Sequence, residues 1–223
     1  MRSPARYKRA FTLIELLVVI GIIAILIGLL FPAFKAVQNQ ARQTQAKNDL
    51  TQIVTAVNAF YTDYGKYPTS QTTDYTYGPA AGTHNNALFN ELQGCPTTGT
   101  FPPTCSGNST LNTRQIVFIS PPAVKNPTNP RSGIATQTAG SVSQGDFVDT
   151  WGKPYNVALD AGYDNQLTNP YTANTGAGPS PLNIGVIAWS FGLDGVQGAT
   201  VSGSACTPGG AGFNCADDAI SWQ

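Results

Sequence analysis

The chain carries little charge for its size. Of 223 residues only 11% are Asp, Glu, Lys or Arg, and there is a single histidine, His84. The four cysteines, Cys95, Cys105, Cys206 and Cys215, include no C-x-x-C pair. Together with the lone histidine this excludes the usual zinc-binding arrangements. A G-x-x-x-x-G-K-[ST] phosphate loop is missing, so the chain has no signal for nucleotide binding. There is also no G-x-S-x-G nucleophile elbow. His84 falls in GTHNN, which reads as an exposed turn, and no catalytic residue is assigned. Basic residues are scarce outside the N-terminus. Four of the twelve, Arg2, Arg6, Lys8 and Arg9, lie in the first ten positions, so the remainder holds eight against twelve acidic residues, a net of −4. A mildly acidic body argues against nucleic-acid binding, which needs a basic face to neutralise phosphates.

What the sequence does have is one long apolar run. Residues Phe11 to Phe31 read FTLIELLVVIGIIAILIGLLF, with Glu15 as the one charged residue. That length spans a bilayer core as a helix. Basic residues before it place the N-terminus in the cytoplasm and the bulk outside. A cleaved secretory signal fits less well, because helix-compatible sequence continues past the run without a small-residue cleavage site. Glu15 is the feature that a plain anchor leaves unexplained. A carboxylate at that depth costs roughly 2.5–3.5 kcal/mol on insertion scales and needs a partner or a role. Gly21, Ala24 and Gly28 fall at spacings of three and four, which suits close helix contact and equally suits ordinary transmembrane glycines. Pro32 removes a backbone donor and is expected to kink or loosen the helix.

Beyond Pro32 the pattern turns amphipathic. Leu50, Ile53, Val54, Val57, Phe60, Tyr61 and Tyr64 form one apolar stripe, predicting a nearly continuous helix from Phe11 to about Tyr64, roughly 80 Å long at 1.5 Å per residue. Gly65 and Pro68 stop it. From Gly65 to about Gly145 the chain is rich in Thr, Asn, Pro and Gly. Only Leu88–Leu92 reads as a short helix there and Arg114–Ile119 (RQIVFI) as a strand. YNVAL (Tyr155–Leu159) and IGVIAWSF (Ile184–Phe191) are predicted strands, the second closed by a turn at Gly192–Gly195. The cysteines suggest an oxidising compartment. Four cysteines allow three connectivities, and on loop length the local pairs Cys95–Cys105 and Cys206–Cys215 are preferred, each contributing on the order of 2–3 kcal/mol.

KRA-FTLIELLVVIGIIAIL resembles the prepilin signature shared by type IV pilins and type II secretion pseudopilins. The resemblance implies that a membrane-embedded aspartyl protease cuts between Ala10 and Phe11, and that Phe11 becomes the N-methylated terminus. The family usually carries Gly before the cut, where this chain has Ala10. Glu15 takes the place of the family's acidic residue, which pairs with the terminal amine of a neighbouring subunit; an ammonium buried among apolar helices needs a carboxylate close by. GKYPT (Gly65–Thr69), DTWGKPY (Asp149–Tyr155), SFGLDG (Ser190–Gly195) and DDAISW (Asp217–Trp222) occur in the order found in major pseudopilins. By that resemblance the loop after the final strand holds calcium through Asp194, Asp217, Asp218 and the carbonyl of Phe191. Three carboxylates with carbonyls form a credible hard-oxygen site.

The implied fold is α+β: a long N-terminal helix, transmembrane then amphipathic, packed on a small antiparallel sheet head with large loop insertions. Its expected divisions are a leader at 1–10, an assembly helix at 11–31, an amphipathic helix at 32–64, a loop-rich insertion at 65–145 and a sheet with the calcium loop at 146–223. The expected function is that of a structural subunit in a type II secretion pseudopilus. Its partners would be further copies of itself, minor pseudopilins, prepilin peptidase and an inner-membrane assembly platform. It would pass through the inner membrane once, with the head in the periplasm, before joining a filament. A surface pilin for adhesion, motility or DNA uptake is the alternative, and an exported enzyme or binding protein on a pilin-like anchor a more distant one. Sequencing of the mature protein is expected to begin at N-methylated Phe11; an intact Met1 would contradict the processing.

Overall fold

The computed structural model describes residues 12–171, 177–198 and 217–222, with backbone only at 29–33 and 36. Helix α1 covers Leu13–Tyr64 and continues through Pro32. The chain divides into two compact units, 1–42 and 43–223. In the first, the apolar side chains from Leu13 to Ile27 are exposed on all sides of the helix. A helix apolar all round has no solvent-facing side and requires lipid or other helices about it. Among the described residues no helix is long and apolar enough to cross a membrane; Phe11 and the side chains at 29–33, which extend the apolar run, lie outside them.

In the second unit the stripe predicted from helical spacing is the buried one. Leu50, Ile53, Val57 and Phe60 are fully buried, and Ala46 and Ala56 are buried with them. Val54 and Tyr64 are partly buried, while Tyr61 stays exposed. The helix ends where the amide of Gly65 donates to the Tyr61 carbonyl at 2.8 Å.

This stripe packs on an antiparallel sheet of four strands in the order β1 (Tyr75–Tyr77), β4 (Asn156–Leu159), β5 (Val186–Ser190) and β6 (Ala219–Ile220). Strand alternation sorts side chains between two layers. Val157, Leu159, Val186 and Ala188 join the helix in the main core. Ala158, Ile187, Trp189 and Ile220 enter a second core with Leu167, Tyr171, Leu182 and Phe191. Both faces are therefore covered, one by α1 and the other by the segment between β4 and β5. The register sets Asn156 opposite Trp189 and Leu159 opposite Val186, then Ser190 opposite Ala219. The architecture is an α+β pilin-like fold, a helix on a four-stranded antiparallel sheet.

The region expected to be loop contains more order than its composition suggests. It holds β1, a short 3-10 turn at Pro79–Ala81, helix α2 (Asn86–Leu92) and β2 (Gly133–Ile134), which pairs with β3 (Phe147–Val148). The strand expected at Arg114–Ile119 does not form. Gln115 has a positive φ of 54°, and the amides of Phe118 and Ile119 both donate to the Leu92 carbonyl rather than to a neighbouring strand. Buried polar side chains take over the work of regular pairing. Glu91 accepts from the amides of Thr110, Leu111 and Asn112 at 2.8–3.0 Å, and from the Ser109 hydroxyl. Asn85 donates to the carbonyls of Phe147 and Tyr155 and accepts from the Phe147 amide, as a strand would.

Asp149 does the same beside β5. One of its oxygens accepts from the amides of Trp151, Gly152 and Lys153 at 2.7–2.9 Å, and the other from the Ser190 hydroxyl. Burial pushes its carboxyl above the ordinary carboxylate range, and the hydrogen bonds from Ser190 and the three amides oppose this. Removing a buried acceptor leaves its donors unsatisfied, at about 1–3 kcal/mol. Asp149→Ala is expected to lower unfolding stability by about 2–4 kcal/mol, measured by chemical denaturation; a change within about 0.5 kcal/mol would show that the turn does not depend on this carboxylate.

Candidate metal centre

Strand β5 runs out at Ser190 into a tight turn, and β6 returns beside it. This brings SFGLDG against DDAISW, which are far apart in sequence. Asp194, Asp217 and Asp218 each present a carboxylate oxygen, all lying within 4.8 Å of one another. Each carboxylate also has an oxygen engaged by the loop. The Val196 amide donates to Asp194 at 2.9 Å, the Gly198 amide to Asp218 at 2.8 Å, and the Leu193 amide to Asp217. The Tyr171 hydroxyl donates to Asp218 as well. The remaining oxygens, Asp194 Oδ2, Asp217 Oδ1 and Asp218 Oδ1, are buried with no hydrogen-bond partner. Among the described residues none of the three has a cationic side chain in salt-bridge range.

Electrostatics follow from this geometry. Burial raises the Asp217 carboxyl, with the negative charge of Asp194 adding to it. Burial likewise pushes Asp218 up to about 6; the Tyr171 hydroxyl and the Gly198 amide oppose this, while Asp217 and Asp194 reinforce it. The Tyr171 phenol is raised far above its ordinary value, by burial first and then by the adjacent Asp218 charge. Three crowded acids with orphaned oxygens fit a divalent cation that prefers oxygen. Calcium takes six to eight such donors, so carbonyls or water would complete the set. Phe191 lies at the end of β5 and is buried.

A second acidic group, Asp74, Asp160 and Asp164, differs in kind. Asp74 and Asp164 are exposed, and the oxygens of buried Asp160 accept from the amides of Asp164 and Asn165. It is a turn held by its own backbone.

The remaining sequence-predicted residues divide between described and undescribed segments. Cys95 and Cys105 form a disulfide with Cα atoms 6.0 Å apart. Ala10, Phe11, Cys206 and Cys215 lie outside the described residues. Glu15 sits in the first turn of α1. Its carboxylate accepts from the Thr12 amide at 2.9 Å and the Thr12 hydroxyl at 2.7 Å, and that hydroxyl oxygen in turn accepts from the Glu15 amide at 3.3 Å. This is a reciprocal capping box. The T-x-x-E spacing in the sequence was signal enough to find it. His84, read as part of an exposed turn, is exposed, and its ring lies between Ser143 and the buried carboxylate of Asp146.

The family described as "Prokaryotic N-terminal methylation motif" matches residues 5–31. The chain is thus a type IV pilin-like protein that carries the N-methylation motif. It is 38% identical over 60 residues to the "Type IV major pilin protein PilA" of Myxococcus xanthus, covering 27% of this chain and 27% of that protein. It is 38% identical over 66 residues to the "Type II secretion system core protein G" of Pseudomonas aeruginosa, covering 30% of this chain and 46% of that protein. The matches therefore span about a quarter and just under half of those relatives. No solved structure matches.

The turn depends on Gly192. It has φ of 66°, and a Cβ there would lie 2.6 Å from both the carboxylate carbon and the carbonyl oxygen of Asp217. Gly82 has the same φ with nothing within 4 Å. Both substitutions to Ala incur the left-handed strain, on the order of 1 kcal/mol. Gly192→Ala must also displace Asp217, so its melting temperature is expected to fall clearly further than that of Gly82→Ala. Equal losses would show that the close approach is not limiting.

Proposed function

We propose that this chain is a structural subunit of a type II secretion pseudopilus, polymerised through its N-terminal helix and stabilised in its head by calcium. The observation that carries the reading is the convergence of Asp194, Asp217 and Asp218, each with a buried unpartnered oxygen. Similarity to a type II secretion core protein over 66 residues supports it. The exposed apolar face of α1 from Leu13 to Ile27 suits burial first in the inner membrane and then among the helices of neighbouring subunits. In this reading prepilin peptidase cuts before Phe11, the new terminal amine pairs with Glu15 of an adjacent copy, and minor pseudopilins and an inner-membrane platform direct addition. Thr12 holds the Glu15 carboxylate in position at the first turn.

Asp194, Asp217 and Asp218 would hold the cation, with the Phe191 carbonyl as a further donor. When bound, calcium supplies the positive charge that lets the three carboxylates stay ionised side by side. The residues themselves do the joining: Asp194 belongs to the turn after β5, and Asp217 and Asp218 lead into β6. A surface filament is the second reading, favoured by the match of equal identity to a type IV major pilin.

Excess calcium is expected to raise the melting temperature of the head. Stabilisation would be roughly 2.7 kcal/mol when free calcium stands about 100-fold above its Kd. Asp194→Ala should abolish the difference between calcium and chelator; an equal rise in that variant would refute the ligand assignment. For the assembly role, Glu15→Ala should leave the protein in the membrane and stop polymerisation. Deleting the gene should leave exported proteins in the periplasm if the filament serves secretion. Loss of surface filaments with secretion intact would favour the second reading.

A further inference from the structure

The contacts of His84 form a constellation separate from the acidic cluster. Asp146 is fully buried. Its Oδ1 accepts from the amides of Asn85 and Asn86, each at 3.1 Å, and its Oδ2 from the Ser143 amide at 2.7 Å. His84 Nδ1 lies 2.9 Å from the same Oδ2. A carboxylate held this way places the ring proton on Nδ1 and leaves Nε2 as an acceptor. The Ser143 hydroxyl lies 3.2 Å from Nε2. His84 and Ser143 both open onto a cleft of about 570 Å³ that Thr83, Ser141, Lys153 and Phe191 also line. The volume suits a small organic ligand, and among the described residues no acidic side chain lines the cleft. A clasp that only pinned the turn at 139–146 would need the amide contacts of Asp146. It would not need a hydroxyl aligned on the free imidazole nitrogen at the wall of a cleft.

We propose that Ser143, His84 and Asp146 form a nucleophilic site that takes the acyl group of a small carboxylic ester. Ser143 Oγ attacks the carbonyl carbon and its proton passes to His84 Nε2. Lys153 supplies positive charge for the oxyanion. The carbon–oxygen bond to the alcohol then breaks, and the alcohol leaves with the proton from Nε2. Water cleaves the acyl-serine by the reverse proton path, which releases the acid and restores the hydroxyl. Asp146 is a positioning residue that orients the imidazole and stabilises its charged form.

The test uses the full chain in detergent with a fluorophosphonate probe. In that reaction Ser143 Oγ displaces fluoride from phosphorus, and the hydroxyl proton leaves through His84. Intact mass and peptide mapping are expected to give one adduct, on Ser143. The adduct should be absent in Ser143→Ala and should form about 100-fold more slowly or worse in His84→Ala. Hydrolysis of p-nitrophenyl acetate should fall in the same two variants. No adduct, an adduct on another residue, or an unchanged rate in His84→Ala would overturn the proposal. If either variant fails to fold, the position of the wild-type adduct decides alone.

Discussion

Like charges do not gather in a protein interior unless something compensates them. Asp194, Asp217 and Asp218 crowd within 4.8 Å, and each retains a buried oxygen without a partner. At such distances repulsion between ionised carboxylates amounts to several kcal/mol, even at an effective dielectric near 20. Around them, the turn after β5 depends on Gly192 to let the backbone approach Asp217. The amides of Leu193, Val196 and Gly198 are held by the same three side chains. The docking of β6, and with it the edge of the sheet, is thereby tied to how the negative charge is met.

The rest of the head provides a rigid base for that edge. α1 fills one face of the sheet with Leu50, Ile53, Val57 and Phe60, while Tyr171, Leu182 and Trp189 fill the other. Between these layers long stretches have no repeating structure, and buried acceptors hold them instead. Glu91, Asp146 and Asp149 each collect several donors, while Asn85 donates to two carbonyls and accepts from one amide. Such side chains fix irregular backbone at specific points, since every buried amide needs an acceptor. This explains how a chain rich in Pro, Gly and Thr forms a defined head with a small sheet.

Much of this was legible in the sequence where period and spacing carry the signal. The 3.6-residue period from Leu50 to Tyr64 located the buried face of α1, and the strand-like apolar runs YNVAL and IGVIAWSF located β4 and β5, which are buried on both faces. The acidic triplet was found through the resemblance of SFGLDG and DDAISW to a known family, since no local rule says that Asp194 meets Asp217. The failures are equally specific. Arg114–Ile119 has strand-like composition, yet the carbonyl of Leu92 and a positive φ at Gln115 claim its backbone. Strands as short as β1 and β2 have too few residues for alternation to show. The contacts of His84 with Ser143 and Asp146 span about sixty positions, and the fold alone brings them together. The Thr12–Glu15 capping box needed only its spacing to be read.

The three carboxylates act in this reading as one cation site that ties the turn after β5 to β6. Amide hydrogen exchange at Leu193, Val196 and Gly198, compared with and without calcium, measures that tie directly. Calcium is expected to slow exchange at these three amides strongly and to leave the paired amides of β4 almost unchanged. Exchange that is the same at residues 193–198 in both conditions would contradict it.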